Sequence, residues 1–162
     1  MPRVSVGDAQ MRLRHLVRLV SAHFDGFLVD TGLTMTQYVL LQAVDVGEPV
    51  QQGVVAHKLG LSTSTLTRTF MPLLDAGLIE YVQTGRRLRG RLVCMTAPGK
   101  ARMRAAQQLA EGAREDLSRR LGAPLLDQLE QSVDRAVRVL FETAPRSESG
   151  RSVEHPEVLM QD

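Results

Sequence analysis

The sequence predicts a mainly α-helical protein with a small β-hairpin wing, a winged helix-turn-helix with further long helices outside it. Apolar residues recur at steps of three and four through most of the 162-residue chain, the period of an amphipathic helix. A short glycine hinge at residues 60–63 separates two of the predicted helices, and two β-prone segments follow them. The resulting order is α-α-α-α-β-β-α-α, with the hairpin directly after the helix-turn-helix.

The first two predicted helices are joined by a glycine turn. The apolar period predicts a long first helix over residues 9–29, and Gly32 ends it. Thr34, followed three residues later by Gln37, is the capping-box pattern, because each side chain can satisfy a backbone N–H at a helix start. The second helix is therefore expected over residues 34–46.

The third and fourth predicted helices form the helix-turn-helix. Residues 50–59 predict a short helix, weakened by the Gly53 inside it. Ser62 is a favourable N-cap, so a fourth helix is expected over residues 63–76. Gly77 then ends this helix, since glycine readily takes the left-handed conformation.

A hairpin and two long helices complete the predicted domain. Two β-prone segments, residues 78–83 and 91–95, flank a glycine-containing stretch and predict the wing. Helices with an apolar stripe are expected over residues 97–121 and 124–141. The segment 145–162 mixes Pro, Ser, Gly and charges, and is predicted to be a flexible tail.

Composition restricts the function classes. A single cysteine, Cys94, excludes an intramolecular disulfide and a multi-cysteine zinc site. No apolar run approaches the ~18 residues that cross a bilayer, and residues 1–8 lack a signal-peptide core, so we expect a cytoplasmic protein without a membrane partner. No nucleophile triad, phosphate loop, paired carboxylates or tight metal-ligand spacing is found, so the sequence predicts no enzyme, no cofactor and no metal.

The charge of the chain is unevenly distributed. The formal net charge is only +2, but residues 49–110 carry a net +7 and the remainder carries −5. No acidic residue occurs in residues 81–110. A DNA duplex carries one negative charge per about 1.7 Å of axis, so clustered cations gain affinity from counterion release. Because the positive part coincides with the helix-turn-helix and wing, the sequence predicts double-stranded DNA as a partner.

The fourth helix begins with small hydrogen-bonding residues. A recognition helix reads base edges with its N-terminal residues, and the Arg68 guanidinium can bond guanine O6 and N7. The alternative is that these residues are only caps and surface positions, which accounts for Ser62 but not for the polar residues that follow it. The predicted contacts of this helix with DNA are Ser62, Thr63, Ser64, Thr65, Thr67 and Arg68.

Four segments of the chain resemble the MarR-type (multiple antibiotic resistance regulator) family of winged helix-turn-helix transcription regulators. They read LTMTQYVLL from residue 33, GLSTSTLTR from residue 60, LLDAGLI from residue 73 and MTAPG from residue 95. The resemblance covers about residues 10–141. It implies a homodimer in which the first and the last two helices interlock and each subunit presents a winged helix to half of a pseudopalindromic operator. Apolar stripes on those helices agree with dimerisation, since unpaired they would leave an exposed patch.

The resemblance implies a single domain over residues 1–144. Its dimerisation helices would span about 9–30 and 97–141, and its winged helix-turn-helix about 34–96. Family wings usually carry an Asp-x-Arg motif whose Arg enters the minor groove. These two positions fall on Arg87 and Arg89, so Arg89 keeps that role, whereas Arg87 replaces the Asp and adds a phosphate contact. The predicted wing contacts are Arg86, Arg87, Arg89 and Arg91, although a basic hairpin can also serve only solubility.

Many relatives bind phenolic or other anionic ligands between the dimer helices and the DNA-binding lobe. For such an effector the residues of suitable chemistry are Arg14, His15, Arg18 and Tyr38, with ordinary surface or interface packing as the alternative for each. Some relatives sense peroxide through a cysteine of the first helix. Cys94 instead falls on a predicted strand, so we interpret it as a buried structural thiol.

These observations predict a sequence-specific double-stranded DNA-binding transcriptional regulator, a ligand-responsive repressor that binds a pseudopalindromic operator as a homodimer. Two alternatives remain, a winged-helix protein-interaction module and a nonspecific architectural DNA-binding module. A neutral or acidic DNA-facing start of the fourth helix would favour the first alternative, whereas its first two turns carry Arg68 and no acidic residue.

Overall fold

The computed structural model of the protein describes residues 6–82 and 91–143. Within them it contains six α-helices and three short strands, and a 3-10 turn at Val29–Thr31 prolongs the first helix. The elements are α1 (Val6–Leu28), α2 (Met35–Asp45), β1 (Val50–Gln51), α3 (Gln52–Lys58), α4 (Thr63–Asp75), β2 (Ile79–Val82), β3 (Leu92–Met95), α5 (Ala97–Leu121) and α6 (Ala123–Thr143). The predicted mainly α-helical class with a small β wing is confirmed.

Strand β1 differs from the prediction, which had a helix beginning at residue 50. Val50 pairs with Val93 and Gln51 with Leu92, both antiparallel, so the sheet has the order β1-β3-β2. Helix α3 therefore begins only at Gln52. Local periodicity misses such a strand because its hydrogen-bonding partner lies far away along the chain.

The start of α2 has the predicted capping box. Thr34 Oγ1 accepts a hydrogen bond from Gln37 N at 3.2 Å, and Gln37 Oε1 accepts one from Thr34 N at 2.9 Å. Gly32 precedes it with φ +66°, the left-handed conformation that favours glycine. Asp25 Oδ1 accepts from Met35 N at 2.5 Å, which fixes the start of α2 against α1.

The end of α4 and the start of α5 meet at the backbone. Thr96 Oγ1 donates to Gly77 O at 2.6 Å, and Thr96 N donates to Leu78 O at 3.0 Å. A Cβ at Gly99 would lie 1.9 Å from Leu78 O, so only glycine allows this approach. The first turn of α5 therefore lies directly on the chain that leaves α4.

One apolar core holds the helix-turn-helix and the sheet together. The α4 side chains Leu66, Phe70 and Leu73 are fully buried in it. The other large, fully buried side chains are Leu28, Leu40, Leu41, Val44, Val55, Ile79 and Val93. Because α4 is anchored along this single face, its opposite face is free to carry polar groups.

The chain divides into two compact units, Met1–Arg120 and Leu121–Asp162. In the first, α1 exposes the large apolar side chains Met11, Leu13, Val17 and Leu19. In the second, α6 exposes Leu125, Val133, Val137, Val139, Leu140 and Phe141. The described helices include none with the length and apolarity needed to cross a membrane. The single domain over residues 1–144 stays a prediction, and the tail from residue 145 lies outside the described residues.

Candidate nucleic-acid interface

The first turn of α4 presents a group of hydroxyls to solvent. Ser62 is the N-cap, and its Oγ accepts from Thr65 N at 3.1 Å. The same oxygen lies 3.0 Å from Ser64 Oγ and 2.8 Å from Thr65 Oγ1. We call Ser62, Ser64 and Thr65 the hydroxyl cluster. Each hydroxyl has one proton and two lone pairs, so the cluster can both donate to phosphate oxygens and accept from base amino groups.

Electrostatics favour an anion at this end of the helix. The first turn of α4 contains no acidic residue. The backbone N–H groups at the start of the helix and the helix dipole add partial positive charge there. Thr63 and Arg68 are exposed on the same helix, and Arg68 adds a full cation. Of the six residues of α4 and its N-cap that were predicted to contact DNA, five are exposed to solvent: Ser62, Thr63, Ser64, Thr65 and Arg68.

Thr67 differs from the other predicted residues of α4. It is half-buried, and its Oγ1 donates to Thr63 O at 2.8 Å. The same oxygen accepts from Gln52 Nε2 at 2.6 Å. A hydroxyl has only one proton, so Thr67 has no donor left for DNA in this arrangement. Its predicted contact with DNA stays a prediction.

Of the four wing arginines predicted to contact DNA, Arg91 lies within the described residues. It is exposed, and its Cζ lies 5.1 Å from the centroid of the Tyr81 ring, within the range of a cation–π contact. The ring thus orients the guanidinium at the base of the wing. Arg86, Arg87 and Arg89 lie outside the described residues, and their contacts with DNA stay predictions.

Cys94 lies on β3, half-buried rather than fully buried, with its Sγ 3.7 Å from Glu80 Oε1. Burial raises the pKa of the thiol, and the negative charge of Glu80 raises this pKa further. A thiol with a raised pKa carries little thiolate at neutral pH and reacts slowly. This environment agrees with a structural cysteine.

The predicted effector residues occupy different environments. Arg14, His15 and Arg18 are exposed on α1, whereas Tyr38 is only 5% exposed. Tyr38 Oη accepts from Gln42 Nε2 at 2.9 Å. Its pKa is raised by burial and then by the charge of Glu111, while the Gln42 hydrogen bond lowers it. Their role in binding an effector stays a prediction.

An open crevice of about 460 Å³ lies elsewhere, between the turn after α1 and one side of α5. It contains neither Tyr38 nor the three α1 residues, and its polar side chains include Arg102 and Asp30. The lining residues are Val29, Asp30, Thr31, Gly32, Arg102 and Ala105. Sequence reasoning missed this crevice, for which the only signal was the Gly32 turn.

In the part of the chain that the structure describes, no three His, Cys, Asp or Glu side chains gather as a metal site.

No protein-family model and no curated protein matches the chain by sequence. Solved structures do match it. The transcriptional repressor CouR bound to p-coumaroyl-CoA matches with a TM-score of 0.71 and 21% identity, over 83% of this chain and 92% of that chain. A MarR mutant from E. coli complexed with operator DNA matches with a TM-score of 0.69 and 20% identity, over 82% of this chain and 99% of that chain.

A MarR-family transcriptional regulator from Rhodococcus sp. RHA1 matches with a TM-score of 0.68 and 22% identity, over 87% of this chain and 98% of that chain. At such identities the likeness establishes the fold. The chain has the winged-helix fold of MarR-family transcriptional regulators, which confirms the resemblance seen in its sequence.

Proposed function

We propose that this chain, with the fold of MarR-family regulators, is a sequence-specific double-stranded DNA-binding transcriptional regulator that acts as a homodimer. The observation that carries the proposal is the face of α4, where the exposed hydroxyl cluster and Arg68 lie opposite a fully buried apolar face. A helix anchored on one side and polar on the other is suited to the major groove. The structural neighbours include two repressors or regulators solved with DNA, CouR and MarR.

In the proposed complex, α4 reads base edges in the major groove. Arg68 reads a guanine, while the hydroxyl cluster and Thr63 bond phosphates and base edges at the start of the helix. Arg91 and the predicted wing cations Arg86 and Arg87 contact the backbone. Arg89 enters the adjacent minor groove, where a guanidinium responds to groove width and to negative potential.

Exposed apolar surface supports the homodimer. The large side chains on α1 include Leu13 and Val17, at 65% and 64% exposed, and those on α6 include Leu140 at 68%. Such exposed groups on a soluble monomer mark an association surface. A twofold dimer places two copies of α4 on half-sites about one helical turn apart, which accounts for a pseudopalindromic operator.

Regulation by a small anionic effector is the finer part of the proposal. One structural neighbour, CouR, is a repressor bound to p-coumaroyl-CoA. In this chain the crevice beside α5 brings an arginine, Arg102, to the turn that joins α1 and α2. An effector bound there, or at the predicted set of Arg14, His15, Arg18 and Tyr38, would change the separation of the two α4 helices and release a repressor from its operator.

The test is selection from a pool of random duplexes at two salt concentrations, followed by sequencing. Enrichment of a pseudopalindrome, with affinity falling by about 10³-fold or more between roughly 50 and 200 mM salt, would support a sequence-specific regulator. Salt-sensitive binding without enrichment would instead establish the architectural alternative. Absence of binding at both salt concentrations would contradict the proposal and favour the protein-interaction module.

A further inference from the structure

We propose that Gln52 is a positioning residue that locks the recognition helix α4 to the wing strand β3, so that both present their DNA contacts as one rigid unit. The inference rests on the DNA-binding function proposed above. It extends that function by assigning part of the operator specificity to a residue that does not touch DNA.

Gln52 bridges the two elements with two hydrogen bonds. It is the first residue of α3 and only 5% exposed. Its backbone N–H donates to Arg91 O at 2.9 Å, immediately before β3. Its side-chain Nε2 donates to Thr67 Oγ1 at 2.6 Å, on α4. One residue therefore links the base of the wing to the middle of the recognition helix.

The donors and acceptors of this bridge are fixed by chemistry. Thr67 Oγ1 uses its single proton on Thr63 O, so it can only accept from Gln52. The amide of Gln52 must then point its NH₂ group, rather than its oxygen, at Thr67. The bridge ends on the backbone of Thr63, a residue of the first turn of α4, where the predicted DNA contacts begin.

A buried glutamine at this position is informative because burying a polar side chain costs free energy unless its groups are bonded. An aliphatic residue would fill the same space without that cost, but it would make no directional bond between the base of the wing and α4. A satisfied buried network instead selects one arrangement of the elements that it joins. At this site, the arrangement sets the offset between the Arg68 and Arg91 side chains.

The two sets of DNA contacts should therefore depend on the bridge in different ways. Contacts with phosphates tolerate small shifts, because the charge of the backbone is nearly uniform along the duplex. Small shifts are not tolerated when α4 reads bases in the major groove while the wing binds in the minor groove. Loss of the bridge should lower affinity for the operator and leave nonspecific affinity almost unchanged.

The experiment measures binding of the full-length protein to two duplexes, the sequence enriched from the random pool and a scrambled duplex of the same composition. Gln52→Leu and Thr67→Val each remove the side-chain bond of the bridge and leave the backbone bond to Arg91 in place, and Thr67→Ser keeps the hydroxyl. We expect each of the first two to weaken binding to the enriched duplex by about tenfold and binding to the scrambled duplex by less than about twofold. Thr67→Ser should restore wild-type binding.

Thr69→Val is the matched control. Thr69 is also half-buried on α4, and its hydroxyl makes the same kind of bond, to Thr65 O at 2.8 Å, without a bond to Gln52. Its replacement should leave the ratio of the two affinities unchanged. The double variant Gln52→Leu/Thr67→Val should bind no more weakly than either single variant, because both remove the same side-chain bond.

Each other outcome overturns a defined claim. If Thr67→Val loses discrimination while Gln52→Leu retains it, Thr67 contacts DNA directly and Gln52 is not a positioning residue. If both affinities fall by the same factor, Gln52 supports only folding, and thermal unfolding of the variants would show that loss independently. If the wild-type protein does not discriminate between the duplexes, the proposed function itself is wrong. If the wild type discriminates and neither variant changes the ratio, only the positioning role is wrong.

Discussion

Glu48 and Met95 are joined by a hydrogen bond between the turn that follows α2 and the end of β3. Glu48 Oε1 accepts from Met95 N at 2.6 Å, and Glu48 Oε2 lies 2.8 Å from Lys100 Nζ, in α5. The Glu48 hydrogen bond raises the pKa of Lys100. One carboxylate thus connects the turn after α2 to both β3 and α5.

We expect Glu48→Ala to destabilise the fold by about 1–3 kcal/mol, because the Met95 N–H is buried and loses its acceptor. Glu48→Gln keeps an acceptor for Met95 and loses only the charge beside Lys100, so its effect should be smaller. Urea unfolding of the two variants measures both effects. Equal losses for Ala and Gln would show that the charge, not the backbone bond, matters.

Asp116 should make stability depend on acid pH. Its carboxylate accepts from Arg120 Nε at 2.6 Å and from Arg119 Nη2 at 3.1 Å, and these bonds lower its pKa. A carboxylate with a lowered pKa contributes stability above its unfolded pKa of about 3.9 and loses that contribution as pH falls through the folded pKa. Asp116→Asn should therefore be less stable than wild type at pH 7, with the difference shrinking below about pH 4.

The measurement for Asp116 is the urea midpoint at several pH values. Glu115→Gln is the control, since it removes a neighbouring exposed carboxylate from the same helix. A difference between wild type and Asp116→Asn that stays constant down to pH 2 would contradict the assignment.

Arg68 and Arg89 should each contribute directly to DNA affinity. Replacement of either by Ala should weaken binding to the enriched duplex by about 1–3 kcal/mol, whereas Arg87→Ala should mainly lower the salt slope by about 1. Arg135→Ala, which removes an exposed charge from α6, is the control. Fluorescence anisotropy at several salt concentrations distinguishes a loss of affinity from a change in salt slope. Unchanged affinity of Arg68→Ala would show that Arg68 does not contact DNA.

Cys94 should react slowly with thiol reagents at pH 7. Burial and the charge of Glu80 raise its pKa, so alkylation should accelerate only at alkaline pH. Glu80→Gln removes a charge that opposes the thiolate and should speed alkylation at any given pH. The rate of iodoacetamide labelling measures this, and rapid labelling of the wild type at neutral pH would contradict the structural interpretation of Cys94.

A dimer should depend on the apolar face of α6. Val133→Asp and Val137→Asp each place a charge among exposed aliphatic side chains, and we expect either to shift the protein towards monomer. The exposed polar residue Gln131 offers a control, Gln131→Asp, on the same helix. Sedimentation equilibrium gives the mass, and dimers of equal stability in all three variants would place the interface elsewhere.

The sequence predicted those parts of the fold that depend on local patterns. The capping box of Thr34 and Gln37, the Ser62 cap and the left-handed Gly77 are each set by neighbours within one helical turn. The same reasoning missed β1, because a two-residue strand exists only through its partner strand.

The candidate site divides in the same way. Exposure of Arg68 follows from the apolar period of α4, which can be read from the sequence. The role of Thr67 cannot be read from the sequence, because Thr67 carries the same kind of hydroxyl as its neighbours. Only the fold brings Gln52 within hydrogen-bond distance of it. The sequence around Gln52 predicts an ordinary surface glutamine at a helix start, and its burial is seen only in the structure.

The contact between Gly99 and Leu78 leaves no space between the start of α5 and the chain that leaves α4. Since the two backbones touch where a methyl group would not fit, we expect the first turn of α5 and the chain that leaves α4 to move together. Thr96 ties the same two points by hydrogen bonds to Gly77 and Leu78. A displacement of the start of α5 would therefore reach the residues at which the proposed recognition helix ends.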